Sequence, residues 1–173
     1  MELTKAEQQV LKYLIRHTDE PLYESEIAKN IPISVGSAHQ TLKSLFKKEM
    51  VTLQKKGKMN FYILNLDNPL MRQYKVTQTI AELSGLISDL KSLTKRIILF
   101  GSCAEGTDTQ DSDIDLAIIS QEKDKSLQII RKKETSRNIQ ALIYNSGEFQ
   151  LVEDKDKPLY ERIQKGIMLW RAD

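Results

Sequence analysis

Two short polar motifs, separated by ten residues, contain the side chains best suited to chemistry. They are Gly101-Ser102 and Asp113-Ile114-Asp115, and apolar runs at 96–100 and 116–119 predict a buried strand beside each. Because side chains alternate along a strand, Asp113 and Asp115 should project from one face, about 7 Å apart. Two such carboxylates can share divalent ions, and Mg²⁺ prefers oxygen ligands, including those of a triphosphate.

Gly101 and Ser102 have the properties of a phosphate-binding turn. A glycine after a strand lets the backbone approach phosphate oxygens, and the Ser102 hydroxyl adds a donor. A helix beginning here would add free amide groups. The motifs therefore predict adjacent metal and phosphate sites. The alternative is structural, with a loop-capping Asp pair and a simple turn.

With this spacing and strand context, residues 94–170 resemble the minimal nucleotidyltransferases of the DNA polymerase β superfamily, whose signature is Gly-Ser, ten residues and Asp-x-Asp. The resemblance implies a small α/β fold in which Asp113 and Asp115 are catalytic and bind Mg²⁺. It implies that Gly101 and Ser102 bind an NTP, with ATP favoured, and that NMP is transferred to a hydroxyl. Some relatives modify HEPN-type toxins and others modify antibiotics, so a protein or a small molecule could be the acceptor.

The chain departs from this family pattern at the third carboxylate. Active members place another acid on a later strand, where it completes the metal site and can act as general base. That strand is predicted over 138–144, after a helix over 125–136, and Gln140 stands in the expected place. An amide cannot accept a proton near neutral pH. Glu148, just past this strand, either substitutes for the third acid, if its loop folds back, or begins the next helix.

The N-terminal third predicts helices followed by a β-hairpin. Thr4 and Glu7 form a capping box for the first helix, and further helices are predicted over 25–29 and 35–48. The apolar stripe of the last helix should be buried and consists of Val35, Ala38, Leu42, Leu45 and Phe46. Alternating stretches at 51–54 and 60–64 flank a turn that contains three lysines.

This order of elements over residues 3–66 resembles a winged helix-turn-helix domain, with 35–48 as the recognition helix and 51–64 as the wing. The resemblance implies double-stranded DNA as the ligand, contacted by polar and basic side chains of the helix and by lysines of the wing. The candidate DNA-binding residues are Ser37, Gln40, Lys43, Ser44, Lys47, Lys55, Lys56 and Lys58. The alternative is a winged helix used for dimerisation or protein contact.

A connecting helix with a broad apolar side is predicted over 68–94. It must bury that side against the following domain or a second subunit, so a homodimer is one possibility. We therefore expect an α+β protein with a winged helix-turn-helix domain over 1–67, this helix, and a small α/β nucleotidyltransferase-fold domain with a mixed sheet over 95–173.

The composition excludes several function classes. The 173 residues include 26 Lys and Arg against 24 Asp and Glu, but residues 1–75 hold 12 basic and 8 acidic residues, leaving 14 and 16 for the remainder. The N-terminal excess suits a polyanionic partner. No apolar run predicts a membrane span, and one cysteine with two histidines offers neither a disulfide nor a zinc cluster. A cytoplasmic protein without a membrane partner is expected.

Two functions are consistent with these observations. One is a Mg²⁺-dependent nucleotidyltransferase with a DNA-binding winged helix. The other is a DNA-binding transcriptional regulator whose nucleotidyltransferase domain has lost catalysis and serves as a nucleotide sensor or scaffold. The intact motifs favour the first function, and Gln140 favours the second.

Overall fold

The computed structural model describes residues 2–57 and 59–172, and the chain divides into two compact units, Met1–Arg72 and Gln73–Asp173. The first unit contains α1 (Lys5–Arg16), α2 (Glu24–Asn30), α3 (Val35–Lys47), β1 (Val51–Lys56) and β2 (Met59–Leu64). Helix α4 (Pro69–Leu90) begins in the first unit and continues into the second, where a 3₁₀ turn (Lys91–Leu93) follows it. The rest of the second unit contains β3 (Thr94–Phe100), α5 (Ser102–Glu105), β4 (Ile114–Ser120), α6 (Lys123–Lys132), β5 (Ile139–Tyr144), α7 (Ser146–Gln150), α8 (Val152–Lys155), α9 (Lys157–Gln164) and β6 (Ile167–Arg171).

Side-chain caps begin the longer helices of the first unit. The Glu7 N–H donates to the Thr4 hydroxyl at 3.2 Å, and the Thr4 N–H donates to the Glu7 carboxylate at 2.8 Å. This reciprocal pair is the predicted capping box of α1. Ser34 caps α3 by accepting from the Ser37 N–H. Strands β1 and β2 pair as an antiparallel hairpin, so the predicted order of elements is confirmed.

The buried side of α3 differs from the predicted stripe at two residues. Ala38, Leu42 and Leu45 are fully buried, whereas Val35 and Phe46 are 50% and 47% exposed. Each residue turns a helix by about 100°, so Val35 and Phe46 lie about 60–80° to one side of the stripe centred on Ala38. The prediction that both are buried is wrong.

The second unit is a mixed sheet with helices on both faces. The strand order is β5-β4-β3-β6, with β4 parallel to β5 and the other pairs antiparallel. Ile97 and Leu99 of β3 face one hydrophobic cluster, and Ile98 and Phe100 face the other. The first cluster includes residues of α4 and α6, and the second includes residues of α7, α8 and α9. The predicted α+β class and mixed sheet are confirmed.

The predicted connecting helix packs on the sheet of the second unit. Leu83, Leu86, Ile87 and Leu90 of α4 are buried in one cluster with Leu116 of β4. This packing accounts for the apolar side of the helix without a second subunit. No helix among the described residues has the length and apolar character needed to cross a membrane.

Candidate functional site

Strand β4 positions the two acidic side chains of the second motif. Asp113 immediately precedes the strand and is exposed, and Asp115 is its second residue and only 18% exposed. Asp115 is in register with Phe100, the last residue of β3. Alternation along β4 places Asp115 on the same face as Ala117, which packs in the cluster of α7, α8 and α9.

Gly101 allows the Asp115 carboxylate to lie against the backbone of the first motif. Gly101 caps the short helix α5 with φ 69° and ψ −157°, a conformation that essentially only glycine adopts. A Cβ placed on Gly101 would lie 2.4 Å from Oδ2 of Asp115, closer than real Cβ contacts come. The two motifs, separated by ten residues in the sequence, are therefore in direct contact.

The environment of Asp115 shifts its protonation equilibrium. Burial raises the pKa of Asp115, the charge of Arg162 lowers it, and the neighbouring Asp113 charge raises it again. Nη2 of Arg162 lies 4.0 Å from Oδ2 of Asp115. A divalent cation would offset both the energetic cost of burying the charged Asp115 carboxylate and the repulsion between the two carboxylates.

The donor set fits Mg²⁺ that takes further ligands from a bound phosphate and from water. Asp113 and Asp115 offer carboxylate oxygens, the ligands that Mg²⁺ prefers. Across residues 2–57 and 59–172, no group of three His, Cys, Asp or Glu side chains could hold a metal ion. Among the described residues, the metal-ligating side chains at this site are therefore the two carboxylates of Asp113 and Asp115.

Contacts from Asn138, the residue before β5, and from α5 hold Asp113. Nδ2 of Asn138 donates to Oδ1 of Asp113 at 3.1 Å, and the Asn138 carbonyl accepts from the Ile114 N–H at 2.8 Å. The Cys103 thiol donates to the Asp113 carbonyl at 3.4 Å. Burial raises the pKa of this thiol to about 11, so it is a neutral donor. These contacts orient both the carboxylate and the backbone of Asp113.

A buried ionic cluster fixes the loop between the motifs. We call Lys75, Thr79, Asp108 and Arg137 the loop anchor. Lys75 and Asp108 are 1% and 5% exposed, and the Lys75 ammonium donates to the Asp108 carbonyl and lies 3.4 Å from its Oδ1. Arg137 donates to Oδ2 of Asp108 at 2.5 Å and to the Thr79 hydroxyl at 3.0 Å. Buried charges require such pairing, so the anchor constrains where the loop can lie.

Gln140 occupies the position beside Asp115 at which the third acid is expected. The two residues are register partners on the parallel strands β4 and β5, so their side chains share a face of the sheet. Glu148 takes the second of its two expected places, in the first turn of the next helix, α7. Its carboxylate accepts from the Asn145 N–H at 2.9 Å and pairs with Lys123 at 2.8 Å. The Lys123 and Asn145 hydrogen bonds lower the pKa of Glu148.

The predicted DNA-binding residues lie in different environments of the first unit. Gln40, Lys43 and Lys47 are exposed on α3. Ser37 is half-buried, and Lys58 lies outside the described residues. The exposed residues at 55 and 56 are part of β1, which extends beyond its predicted end, so these lysines do not lie in the turn itself.

Ser44, another of the candidate DNA-binding residues, is half-buried and contacts α1, unlike the exposed residues of α3 named above. Its hydroxyl donates to Oε1 of Glu7 at 2.8 Å, and Lys48 pairs with the same oxygen at 2.5 Å. Burial favours a higher pKa for Glu7, which is 3% exposed, but the hydrogen bonds from Lys48, Thr4 and Ser44 and the Lys48 charge lower it to about 2. Ser44 faces inward because α1 packs on this flank of α3.

Several residues of the site were not predicted from the sequence. Arg137 and Asn138 directly precede β5, whose predicted start was residue 138, and polar residues at the start of a strand predicted to carry the third acid are a usable signal. Lys75 and Arg162 lie on helices, at positions that no local pattern distinguishes from other basic residues.

Comparison with protein families matches residues 86–173 to the family described as "Polymerase beta, Nucleotidyltransferase". Among solved structures, MepR, a transcription regulator of the Staphylococcus aureus multidrug efflux pump MepA, is 18% identical over 51% of this chain and 67% of its own, with a TM-score of 0.42. The archaeal chromatin protein TrmBL2 is 17% identical over 91% of this chain and 71% of its own, with a TM-score of 0.35. The search of curated proteins found no match.

Proposed function

The chain belongs to the polymerase β nucleotidyltransferase family, and from this we propose that it binds a nucleoside triphosphate, with ATP favoured, and transfers the nucleoside monophosphate to a hydroxyl. One observation supports this proposal most directly. The Asp115 carboxylate lies against Gly101, so the acidic motif and the turn suited to phosphates adjoin each other.

Each group at the site has a defined task in this reaction. Mg²⁺ bound by Asp113 and Asp115 would neutralise phosphate charge and polarise the reacting phosphoryl group. Gly101 permits close approach of the phosphates, Ser102 donates to them, and Asn138 keeps the Asp113 carboxylate oriented. The acceptor oxygen forms a bond to the α-phosphorus, the bond from this phosphorus to the bridging oxygen breaks, and pyrophosphate leaves. The acceptor proton passes to solvent.

Calorimetric titration with ATP and GTP, with and without Mg²⁺, tests the nucleotide site before any acceptor is known. We expect Mg²⁺-dependent binding to the wild type and a loss of at least tenfold in the Asp113→Asn/Asp115→Asn double variant. Asp111→Asn is the matched control, because it removes a carboxylate from the same loop at an exposed position. Absence of nucleotide binding to the wild type would contradict the proposal.

Gln140 favours a second candidate function, a DNA-binding regulator whose nucleotidyltransferase domain senses a nucleotide without turning it over. The Gln140 amide, in register with Asp115, cannot act as a base. Release of pyrophosphate, together with mass labelling of acceptors such as a HEPN-type toxin, separates the two functions. Turnover by the wild type supports the enzyme, whereas turnover that appears only in Gln140→Glu supports the sensor.

We also propose that the first unit binds double-stranded DNA through the exposed Gln40, Lys43 and Lys47 of α3 and the lysines of β1. A mobility-shift titration at several salt concentrations tests this. Lys43→Ala should weaken binding to all sequences and reduce the salt slope by about 0.9 for the lost phosphate contact, while Gln40→Ala should reduce sequence preference. Lys12→Ala removes an exposed lysine of α1 and should change neither property. Normal binding by both α3 variants would contradict the proposal.

A further inference from the structure

Arg162 of α9 places a guanidinium at the contact between the two motifs. Its Nη2 lies 3.5 Å from the Cβ position of Gly101 and 4.0 Å from Oδ2 of Asp115. Its guanidinium carbon lies 5.7 Å from the centre of the Phe100 ring. A single cation therefore lies beside the last residue of β3, the phosphate-suited turn and one of the two carboxylates.

Packing fixes the backbone of α9 at the end that carries Arg162. The next residue, Ile163, is fully buried, and Gly166 follows the end of α9. A Cβ on Gly166 would lie 2.5 Å from the Leu99 carbonyl oxygen, so the backbone here is pressed against β3. The end of α9 is thereby fixed close to the strand that leads into Gly101.

The contact with Asp115 does not explain why an arginine is present at position 162. A separation of 4.0 Å is too long for a hydrogen bond, and the Arg162 side chain is 60% exposed. Ion pairs this exposed contribute little stability because solvent screens them. Among the contacts of residues 2–57 and 59–172, the guanidinium has no hydrogen bond to a protein acceptor, so its N–H donors are available to a ligand.

We propose that Arg162 binds the β- and γ-phosphates of the nucleotide, an assignment that rests on the proposed function. A planar guanidinium presents paired N–H donors that match phosphate oxygens, and a cation–π contact with the Phe100 ring favours its present place beside Gly101. The phosphates that approach Gly101 and Ser102 come within reach of these donors. Asp113 and Asp115 would hold a divalent ion, whose charge would offset that of the Asp115 carboxylate and leave the Arg162 guanidinium to pair with the anionic phosphates.

Calorimetry with ATP, AMP and inorganic tripolyphosphate, each with Mg²⁺, tests this role. Arg162→Ala should weaken ATP and tripolyphosphate binding at least tenfold and AMP binding less than twofold. Arg162→Lys should recover part of the loss, because lysine keeps the charge without the paired donors. Arg171→Ala is the control, since this exposed arginine lies opposite Arg96 at the other end of β3.

The outcomes separate this inference from the proposed function. Suppose that the wild type binds ATP. If Arg162→Ala then leaves ATP affinity unchanged or increased, or reduces it by the same factor as AMP affinity, the role of Arg162 is overturned and the nucleotide site stands. Arg162-dependent binding of tripolyphosphate without ATP binding overturns the nucleotide proposal and supports the phosphate site. A wild type that binds none of the three ligands overturns both.

Discussion

Gly101→Ala should abolish tight binding of Mg²⁺-ATP while the second unit stays folded. A residue with a Cβ at φ 69° and ψ −157° costs about 1–3 kcal/mol in backbone strain. The new methyl would lie 2.4 Å from Oδ2 of Asp115, and contacts below 3.0 Å are essentially never seen, so the carboxylate must move by at least 0.6 Å, the difference between these distances. Metal–ligand distances tolerate only about 0.2 Å, and a misplacement of about 1 Å can cost roughly 100-fold in activity. We therefore expect ATP affinity to fall at least tenfold.

Two measurements separate the effect on the site from the effect on folding. Trp170, the only tryptophan, lies in β6, so its fluorescence in urea reports the free energy of unfolding of the second unit. Calorimetry reports nucleotide affinity. Gly57→Ala is the matched control, because Gly57 has φ 62° with nothing within 4 Å of its Cβ position. That variant should destabilise the first unit by about 1–2 kcal/mol and leave nucleotide affinity unchanged. Circular dichroism in urea measures the stability of the first unit.

A Gly101→Ala protein that binds Mg²⁺-ATP within twofold of the wild type would refute the reasoning that glycine keeps the space occupied by Asp115 free. An equal loss of affinity in Gly57→Ala would also refute it, because the loss would then not depend on the carboxylate.

Three further results follow from buried groups. Glu7→Gln should lower the free energy of unfolding of the first unit by about 3 kcal/mol at pH 7. In the wild type, this contribution to stability should be fully present above pH 4.5 and should decline as the pH falls towards 2. Urea titration followed by circular dichroism at each pH measures both effects. Asp108→Ala should destabilise the second unit by about 3 kcal/mol, because it removes the buried carboxylate that pairs with the buried Lys75 and the half-buried Arg137. The exposed Asp111→Ala should cost less than about 0.5 kcal/mol, and tryptophan fluorescence in urea measures both variants. The Cys103 thiol is buried and its pKa is about 11, so little of it is thiolate at pH 8. It should therefore react with iodoacetamide at this pH at least about 100-fold more slowly in the folded protein than in urea. Similar rates in the two conditions would show that the thiol is accessible.

The parts of the structure that the sequence predicted well are those set by neighbouring residues. The capping box of Thr4 and Glu7, the hairpin and the strands beside the two motifs all depend on local pattern. The contact between Gly101 and Asp115 also follows a local rule, because a turn after one strand meets the start of its antiparallel partner.

The parts that were missed depend on how distant elements pack. Ser44 faces inward because Glu7, 37 residues earlier, approaches it from α1. Arg162 reaches Asp115 from a helix 47 residues later in the chain, and Lys75 meets Asp108 across 33 residues. Periodicity shows that a helix buries one side, but it does not show which neighbour covers its flanks. Polar residues on such flanks therefore required the structure.

The sheet order has a consequence for synthesis on the ribosome. Ile97 of β3 pairs with Ile118 on one side and with Trp170 on the other, so the second partner strand is made about 50 residues after the first. At about 5–20 residues per second, one edge of this apolar strand waits roughly 3–10 s for its partner. An uncovered apolar edge is a template for pairing with other chains. The nascent second unit therefore passes through an interval of exposure to aggregation, and slower translation of residues 121–167 would lengthen it.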